Sequence, residues 1–417
     1  MTILKKNLIF IIFLTLIISI SGCSGKKTSQ SVEELRVGTE GLSMNFLPNN
    51  PPDIVHAEQD TDPNSNRFDA ILELRNKGAY PELGKGTGVG GLALNGRVYL
   101  GGYDPSIVVF FDPSPPVADL NTKTLEGKTS INPNGGVDFV TFKGRVSIDT
   151  LNAEKYEPIL LATACYSYET IASSSVCIDP NPYSTIKEKK VCEVKGVSLS
   201  SQGAPIAITQ INEEAFATKT QFRITIKNVG NGEVMRNSVM ADDKCNPFGD
   251  NKVEREDIDK VYLYGAKIAN KELQCGPFDG NLVKSSIGYI RLVNSEGSII
   301  CEMPSSNYGS KIAYISPLEI RLGYVYRTTA QKKMLIKREP SGLGSSSTAY
   351  PTTESMPSSA PSSSTELPST SSPSQSVPLQ DGQTYLYCAE SDPLTGECIR
   401  TADSCPKRDP GTGECIT

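Results

Sequence analysis

Four cysteines near the end of the chain stand in two units of one form. These are CAESDPLTGEC and CPKRDPGTGEC, each a Cys-x9-Cys spacing around a D-P-x-T-G-E-C core. Four thiols so close together can hold one zinc ion or form two disulfides. The spacing favours disulfides, because zinc knuckles separate their cysteines by only about two to four residues. Asp-Pro and Thr-Gly are turn chemistry. Each unit is therefore expected to be a hairpin loop closed by its own bridge, Cys388 with Cys398 and Cys405 with Cys415. In the chain-entropy model a loop that short gains about 2–3 kcal/mol per bridge. A unit of this size has no hydrophobic core, so the bridges are its main support.

The redox compartment is read from the other end of the chain. Lys5 and Lys6 precede an apolar stretch from Leu8 to Ile20. That is too short for a bilayer core, which takes about 20 residues, but it suits the hydrophobic region of a secretory signal. The stretch ends in ISGC, with Ile20, Ser21 and Gly22 before Cys23. Small residues there let an extended backbone fit the narrow cleft of a signal peptidase. The segment resembles the lipobox of prokaryotic lipoproteins. The resemblance implies that residues 1–22 are removed and that Cys23 is lipid-modified as the new N-terminus. Such a cysteine carries several acyl chains, and more than one chain is what stable membrane anchoring requires. The mature chain then faces an oxidising, extracytoplasmic space.

Of 11 cysteines, an even number remains once Cys23 is set aside, and disulfides are the default for all of them. Six lie mid-chain: Cys165, Cys177, Cys192, Cys245, Cys275 and Cys301. Sequence does not choose among their pairings. One scheme pairs Cys165 with Cys177 across a hairpin centred near Ile171, Cys245 with Cys275, and Cys192 with Cys301.

The catalytic repertoire is otherwise thin. His56 is the only histidine and there is no tryptophan. This leaves no Ser-His-Asp or Cys-His relay with a histidine to spare, no H-E-x-x-H and no multi-histidine metal cage. His56 itself lies beside proline-rich sequence and is expected to be a surface or turn residue. In GKGTGVGG, Gly86, Gly88 and Gly91 fit G-x-G-x-x-G, but a dinucleotide site needs a buried strand before the glycines and a helix after them. The flanks are AYPELGK and the strand-like LALNGRVYLGG, so an interstrand loop is expected. DTDPNSN sets Asp60, Asp62, Asn64 and Asn66 at alternate positions, but Ser65 and Ile71 stand where a calcium loop wants Gly and Glu. Polar turn chemistry is the better reading. A second acidic stretch holds Asp242, Asp243, Asp250 and Glu254 and reads as a solvated loop beside a disulfide. No carboxylate pair is marked for glycoside hydrolysis, and no cofactor or metal is implied. A net charge of -6 with interspersed signs points to no nucleic-acid partner.

The elements that carry these residues read as antiparallel β. Runs such as VDFVTFKGRVSI and FRITIKNVGNG alternate apolar and polar residues between Gly, Pro, Asn and Asp. Two markers recur. Leu72, Leu74, Asn76 and Gly78 alternate in ILELRNKGA, as do Ile224, Ile226, Asn228 and Gly230 in RITIKNVGNG. Tyr156, Tyr166 and Tyr168 show a Y-x9-Y-x-Y spacing that Tyr314, Tyr324 and Tyr326 repeat. Opening strands GLSMNFLPN and GAPIAITQIN precede the Asn-x-Gly markers. The glycine turn is expected to supply positive-φ positions. The tyrosines are expected to cover the sheet with their hydroxyls in water. From about Gly41 to Lys337 the chain resembles immunoglobulin-like modules of prokaryotic surface proteins of the CARDB type, in which strands ending in N-x-G recur.

The expected architecture is all-β, with two tandem immunoglobulin-like sandwiches. After signal 1–22 and linker 23–38 come sandwich domains at 39–190 and 191–340. Residues 341–380, of which 26 are Ser, Thr or Pro, form a stalk that cannot bury a core, followed by the Cys-x9-Cys repeats at 381–417. The expected role is that of a non-enzymatic, lipid-anchored surface protein that binds an envelope protein or glycan. The alternative is an envelope solute-binding or hydrolytic lipoprotein acting on extracellular glycan, which requires a deep polar pocket with convergent carboxylates.

Overall fold

The alternating runs become strands in the computed structural model, which describes residues 36–58, 66–82, 84–147, 149–184, 190–339, 388–391 and 398–401. The first half holds β1 (Leu42–Phe46), β2 (Ile54–Ala57), β3 (Arg67–Asn76), β4 (Gly96–Gly101) and β5 (Val108–Asp112). It continues with β6 (Val117–Asp119), β7 (Val137–Val146), β8 (Lys155–Tyr156) and β9 (Ile159–Ile178). The second half holds β10 (Val197–Ser198), β11 (Ile206–Ala215), β12 (Lys219–Asn228), β13 (Glu233–Met235), the helical turn α1 (Ser238–Ala241) and β14 (Lys260–Ile268). It ends with β15 (Lys271–Glu272), β16 (Gln274–Gly276), β17 (Gly288–Arg291), β18 (Glu296–Pro304), β19 (Tyr314–Lys333) and β20 (Leu335–Arg338).

Two inner sheets share one strand order. They are β1-β3-β7-β5 in the first half and β11-β12-β18-β16 in the second, where β10 adds an edge to β11. Opposite both lies a single sheet, β15-β14-β19-β9-β4-β6, joined by β13 at β19 and by β17 at β14. Its centre is the antiparallel pair β9–β19, which runs over 20 residues from Ile159 opposite Lys333 to Ile178 opposite Tyr314. At about 3.3 Å per residue this ladder is roughly 65 Å long. β4 pairs with Leu161–Tyr166 of β9, and β14 with Leu318–Gly323 of β19. Each long strand therefore begins in its own half and ends in the other. A small sheet, β2-β20-β8, ties the end of the second half back to the first.

The core follows from the period-2 pattern. β3 buries Phe68, Ala70, Leu72 and Leu74, and β12 buries Phe222, Ile224 and Ile226. Inner-face Leu160, Ala162 and Ala164 of β9 and Leu318, Ile320 and Leu322 of β19 meet them in one cluster spanning both halves. The body is all-β, as the sequence pattern requires. Across the expected boundary at 190/191, the β9–β19 ladder and the common core join the described residues of the two halves.

The cysteine scheme is overturned for the central six. The bridges are Cys165–Cys245, Cys177–Cys192 and Cys275–Cys301. No hairpin forms at Ile171, because β9 runs straight through it. Cys165 and Cys177 thus sit about 40 Å apart on one strand. Cys275 and Cys301 face each other on β16 and β18, a pairing that only the sheet register creates.

The second unit spans Ser346–Thr417, and its described part is an antiparallel hairpin, β21 (Cys388–Ser391) with β22 (Cys398–Thr401). The register sets Cys388 opposite Thr401 and Ser391 opposite Cys398. Cys23, Cys405, Cys415, the signal 1–22 and the stalk 341–380 lie outside the described residues.

Candidate functional site

The two sequence markers meet in space. The β9–β19 register sets Tyr166 opposite Tyr326 and Tyr168 opposite Tyr324. All four rings are buried, with adjacent centroids 5.8 to 6.4 Å apart. Their hydroxyls are not in water, contrary to the expectation above. The Tyr168 hydroxyl donates to Asn76 Oδ1 (3.2 Å) and accepts from the Tyr80 N–H (3.2 Å). Asn76 Oδ1 also accepts from the Gly78 N–H (3.1 Å), and its amide donates to the Tyr80 carbonyl (2.6 Å).

The second half contains the same set. The Tyr326 hydroxyl donates to Asn228 Oδ1 (3.2 Å) and accepts from the Gly232 N–H (2.7 Å). Asn228 accepts from the Gly230 N–H (3.2 Å) and donates to the Gly232 carbonyl (2.9 Å). Tyr166 accepts from Leu42 N–H (3.0 Å) at the start of β1, and Tyr324 from Ile206 N–H (3.4 Å) at the start of β11. Asn-x-Gly and Tyr-x-Tyr are two ends of one contact.

The glycines serve a different purpose from the one expected. Neither Gly78 nor Gly230 has a left-handed φ. A Cβ at either position would run into the hydroxyl of Tyr168 or Tyr326. Burial raises all four phenols above the usual tyrosine range. They are neutral hydrogen-bonding groups that fix the inner sheets to the shared one.

Odd-numbered residues of the same ladder face outward, and residues 236–258 cross that face as a strap. Cys165–Cys245 and an Arg97–Asp243 ion pair (2.7 Å) hold it down. Tyr99, Met235, Val239 and Val325 form an apolar cluster beneath it with the two cysteines. Asp257 is fully buried at its base, 2.5 Å from Arg236 and 2.9 Å from Lys244. Burial pushes the Asp257 carboxyl up. The Glu254 N–H, Lys244 and Arg236 outweigh that and hold it below the usual range. Beside the strap opens a groove of ≈ 600 Å³ lined by Thr163, Lys244, Asn246, Lys252, Arg255 and Arg327, among others. Arg327 is bound by Glu233, Lys244 by Asp257 and Glu254, and Lys252 by the Pro247 and Gly249 carbonyls. Carboxylates of the chain itself compensate Arg327 and Lys244, whereas Lys252 is held by neutral carbonyls.

The residues marked by sequence are scattered. His56 is exposed on β2, with Nδ1 2.5 Å from Glu339. Gly86, Gly88 and Gly91 form an interstrand loop in which Gly86 N–H donates to Gly91 O and only a single 3-10 turn occurs. Of DTDPNSN only Asn66 is described, and its side chain bonds the Glu58 backbone; the rest lies outside the described residues. Asp242, Asp243 and Glu254 pair with Arg236, Arg97 and Lys244. Among the described residues, no three His, Cys, Asp or Glu side chains gather as metal ligands.

Two carboxylates escaped the sequence reading, Asp257 and Glu213. Glu213 sits in QINEEAF, where alternation along a strand gives no sign that this glutamate points inward. It is 7% exposed. Burial raises its carboxyl to about 7 against the pull of the Cys177 N–H (3.1 Å), and nearby Asp179 pushes the same way as burial. Its other oxygen, Oε1, has no hydrogen-bond partner among the described residues.

No family model matches the chain, and no curated protein matches it. Among solved structures it has a slight likeness to the mu homology domain of Fcho1 from Danio rerio with bound Eps15 peptide, at 9% identity. That match covers 73% of this chain and 96% of the other, with a TM-score of 0.12. The collagen binding domain of the surface protein RspB from Erysipelothrix rhusiopathiae is also 9% identical, with 72% and 97% covered and a TM-score of 0.10. Likeness of that degree carries no argument for this chain.

Proposed function

We propose that this chain is a non-enzymatic, lipid-anchored protein of the cell envelope whose work is structural or adhesive. Cys23 is its anchor and the paired sandwich halves are its contact body. The observation that carries the reading is the shared ladder. β9 and β19 pair over 20 residues, and three disulfides and two tyrosine–asparagine locks brace the body around them. Disulfides persist in oxidising, extracytoplasmic space. A stiff β body with its halves interlocked suits a protein that must present a surface at a fixed distance from a membrane. The matching strand orders and matching locks support an internal duplication of a CARDB-like module, the second copy reusing the first copy's lock.

The test compares the full chain with a Cys23→Ser variant in intact cells. The wild type is expected in the detergent phase and accessible to a membrane-impermeant biotin reagent, and the variant in the aqueous phase. A wild-type chain that stays aqueous removes the lipid anchor. One that resists labelling removes the surface role.

A further inference from the structure

The two ends of the β9–β19 ladder differ in chemistry. The Ile159 end carries paired charges, Glu157 with Lys155 (2.9 Å) and Lys333 (3.1 Å), and Lys332 with Asp53. The Ile178 end carries exposed apolar side chains: Tyr183 is 70% exposed, Val191 67%, Ile312 65% and Ile315 60%. The fold gathers these four. Ile315 of β19 lies opposite Cys177 of β9, and the Cys177–Cys192 bridge brings Val191 to the same place. The Asn181 amide donates to the Lys311 carbonyl (3.2 Å), which joins the loop holding Tyr183 to the loop holding Ile312. Both loops are set in advance. Lys190 binds Asp179 (2.5 Å) and the Asn181 carbonyl (3.1 Å), and the Asn181 N–H donates to Asp179 Oδ1 (3.0 Å). The Ile312 N–H donates to Ser310 Oγ (3.1 Å). Apolar side chains held out by an ordered backbone meet a partner at little further ordering cost.

The anchor tether determines what can lie against this end. Cys23 and Arg36 are 13 residues apart, so the chain between them reaches at most about 45 Å. Arg36 lines one groove with Ser173 and Ser174 of β9. Ser174 stands four residues, about 13 Å, from the Ile178 end and 15 residues, about 50 Å, from the Ile159 end. An anchored body can therefore lay its apolar end on the bilayer, while its charged end lies beyond the same reach. Glu339, shortly before the Ser/Thr/Pro segment, is bound at the charged end, where its N–H donates to the Ala57 carbonyl (2.9 Å). A tether this short holds the bilayer at high effective concentration, so a shallow contact suffices. Tyrosine and aliphatic side chains on loop tips suit the headgroup boundary, where a phenol keeps its hydroxyl wet and aliphatic groups leave water.

We propose that the Ile178 end is a membrane-docking face. Tyr183, Val191, Ile312 and Ile315 enter the headgroup boundary of the bilayer that holds the anchor, and the β9–β19 ladder carries the charged end away from it. The proposal deepens the lipid-anchored reading above and rests on it for the tether. Because the chain has no tryptophan, one engineered tryptophan reports on one place. The purified mature chain, residues 23–417, is coupled through the Cys23 thiol to a maleimide lipid in phosphatidylcholine vesicles, with its disulfides intact. Tyr183→Trp is expected to show blue-shifted emission that brominated lipid quenches, and Ile159→Trp, at the far end, to show neither. Removing one partly inserted isoleucine is worth about tenfold in the docking equilibrium. In the Tyr183→Trp background, Ile312→Ser and Ile315→Ser are each expected to cut the docked-to-undocked ratio by about that factor.

Circular dichroism checks that each variant is folded, and Val191→Trp serves as the reporter if Tyr183→Trp is not. An unshifted reporter at the Ile178 end, equal quenching at the two ends, or a reporter indifferent to both serine variants each overturns the proposal. So does a shift that appears on cells, together with a crosslink to an envelope protein, but not on vesicles. The chemical tether replaces the natural anchor, so none of these outcomes depends on the Cys23→Ser fractionation, which tests the envelope reading separately.

Discussion

Glu213 makes the stability of the body depend on pH in a direction opposite to most carboxylates. Burial raises its carboxyl from 4.5 to about 7. Below 4.5 the folded and unfolded chains both hold the proton, so burying the group costs little. Between 4.5 and about 7 the unfolded chain releases the proton while the folded chain keeps it, and stability falls as pH rises. At about 1.4 kcal/mol per pH unit the whole loss is about 3.5 kcal/mol once the folded carboxyl also ionises, of which roughly 3 kcal/mol falls between pH 5 and pH 8. The surroundings do not offset it. Asp179 faces Glu213 and adds repulsion, its own partner Lys190 is bound to it, and the hydroxyls of Tyr308 and Thr220 are bonded to each other. For a body of about 300 residues, an unfolding entropy of about 2.1 cal/mol/K per residue turns 3 kcal/mol into a shift of about 5 °C in Tm.

The assay is thermal melting by circular dichroism, disulfides intact, from about pH 5 to about pH 8. The wild type is expected to lose about 5 °C over that range. Glu213→Gln, an isostere of the protonated acid, should match the wild type near pH 5 and stay level above it. A wild type that does not move, or a glutamine variant with an undiminished slope, would refute the reasoning.

Other outcomes follow from the locks and the strap. Tyr168→Phe leaves the buried Asn76 oxygen and the Tyr80 N–H short of a partner, at a cost of about 1–3 kcal/mol in urea unfolding, and Tyr326→Phe, at the half-buried Asn228 and the Gly232 N–H, is expected at the lower end of that range; a loss under about 0.5 kcal/mol for Tyr168→Phe would deny the lock. Gly78→Ala is expected to destabilise through collision with the Tyr168 hydroxyl and with the Gly203 and Glu40 carbonyls, so its combination with Tyr168→Phe should cost less than the sum of the two by the hydroxyl's share alone; strict additivity would place the whole clash on the carbonyls. Replacing Cys165 and Cys245 by Ala opens a loop with a sequence separation of 80, worth about 4–5 kcal/mol in the chain-entropy model. It should also expose Lys244, Lys252 and Arg255 to trypsin, and a digestion pattern like that of the wild type would show that the bridge does not hold the strap.

Much of the fold was legible because strand chemistry is local. The period-2 burial of Phe68, Ala70, Leu72 and Leu74, or of Phe222, Ile224 and Ile226, follows from side chains alternating across a pleated strand. The Asn-x-Gly and Tyr-x-Tyr markers were visible for the same reason. Their meaning was not, because the link between Asn76 and Tyr168 spans 92 positions and exists only once β3 and β9 lie in facing sheets. The tyrosines looked like a wet surface because alternation does not say which face is buried. Tyr166 and Tyr168 face inward while Tyr262 and Tyr264, with the same spacing, face outward.

By itself, then, the sequence determined the all-β character, the strands that carry each marker, and the poverty of histidine-based chemistry. Tertiary structure alone decided that the halves share one sheet and that Cys165 reaches Cys245 instead of Cys177. It also decided that Glu213 is buried without a full set of partners and that Gly323 leaves room for the Tyr264 ring. The division has one physical cause. Pattern along a strand is set by neighbours two residues apart, whereas register, facing and burial are set by strands that meet after the chain has travelled far between them.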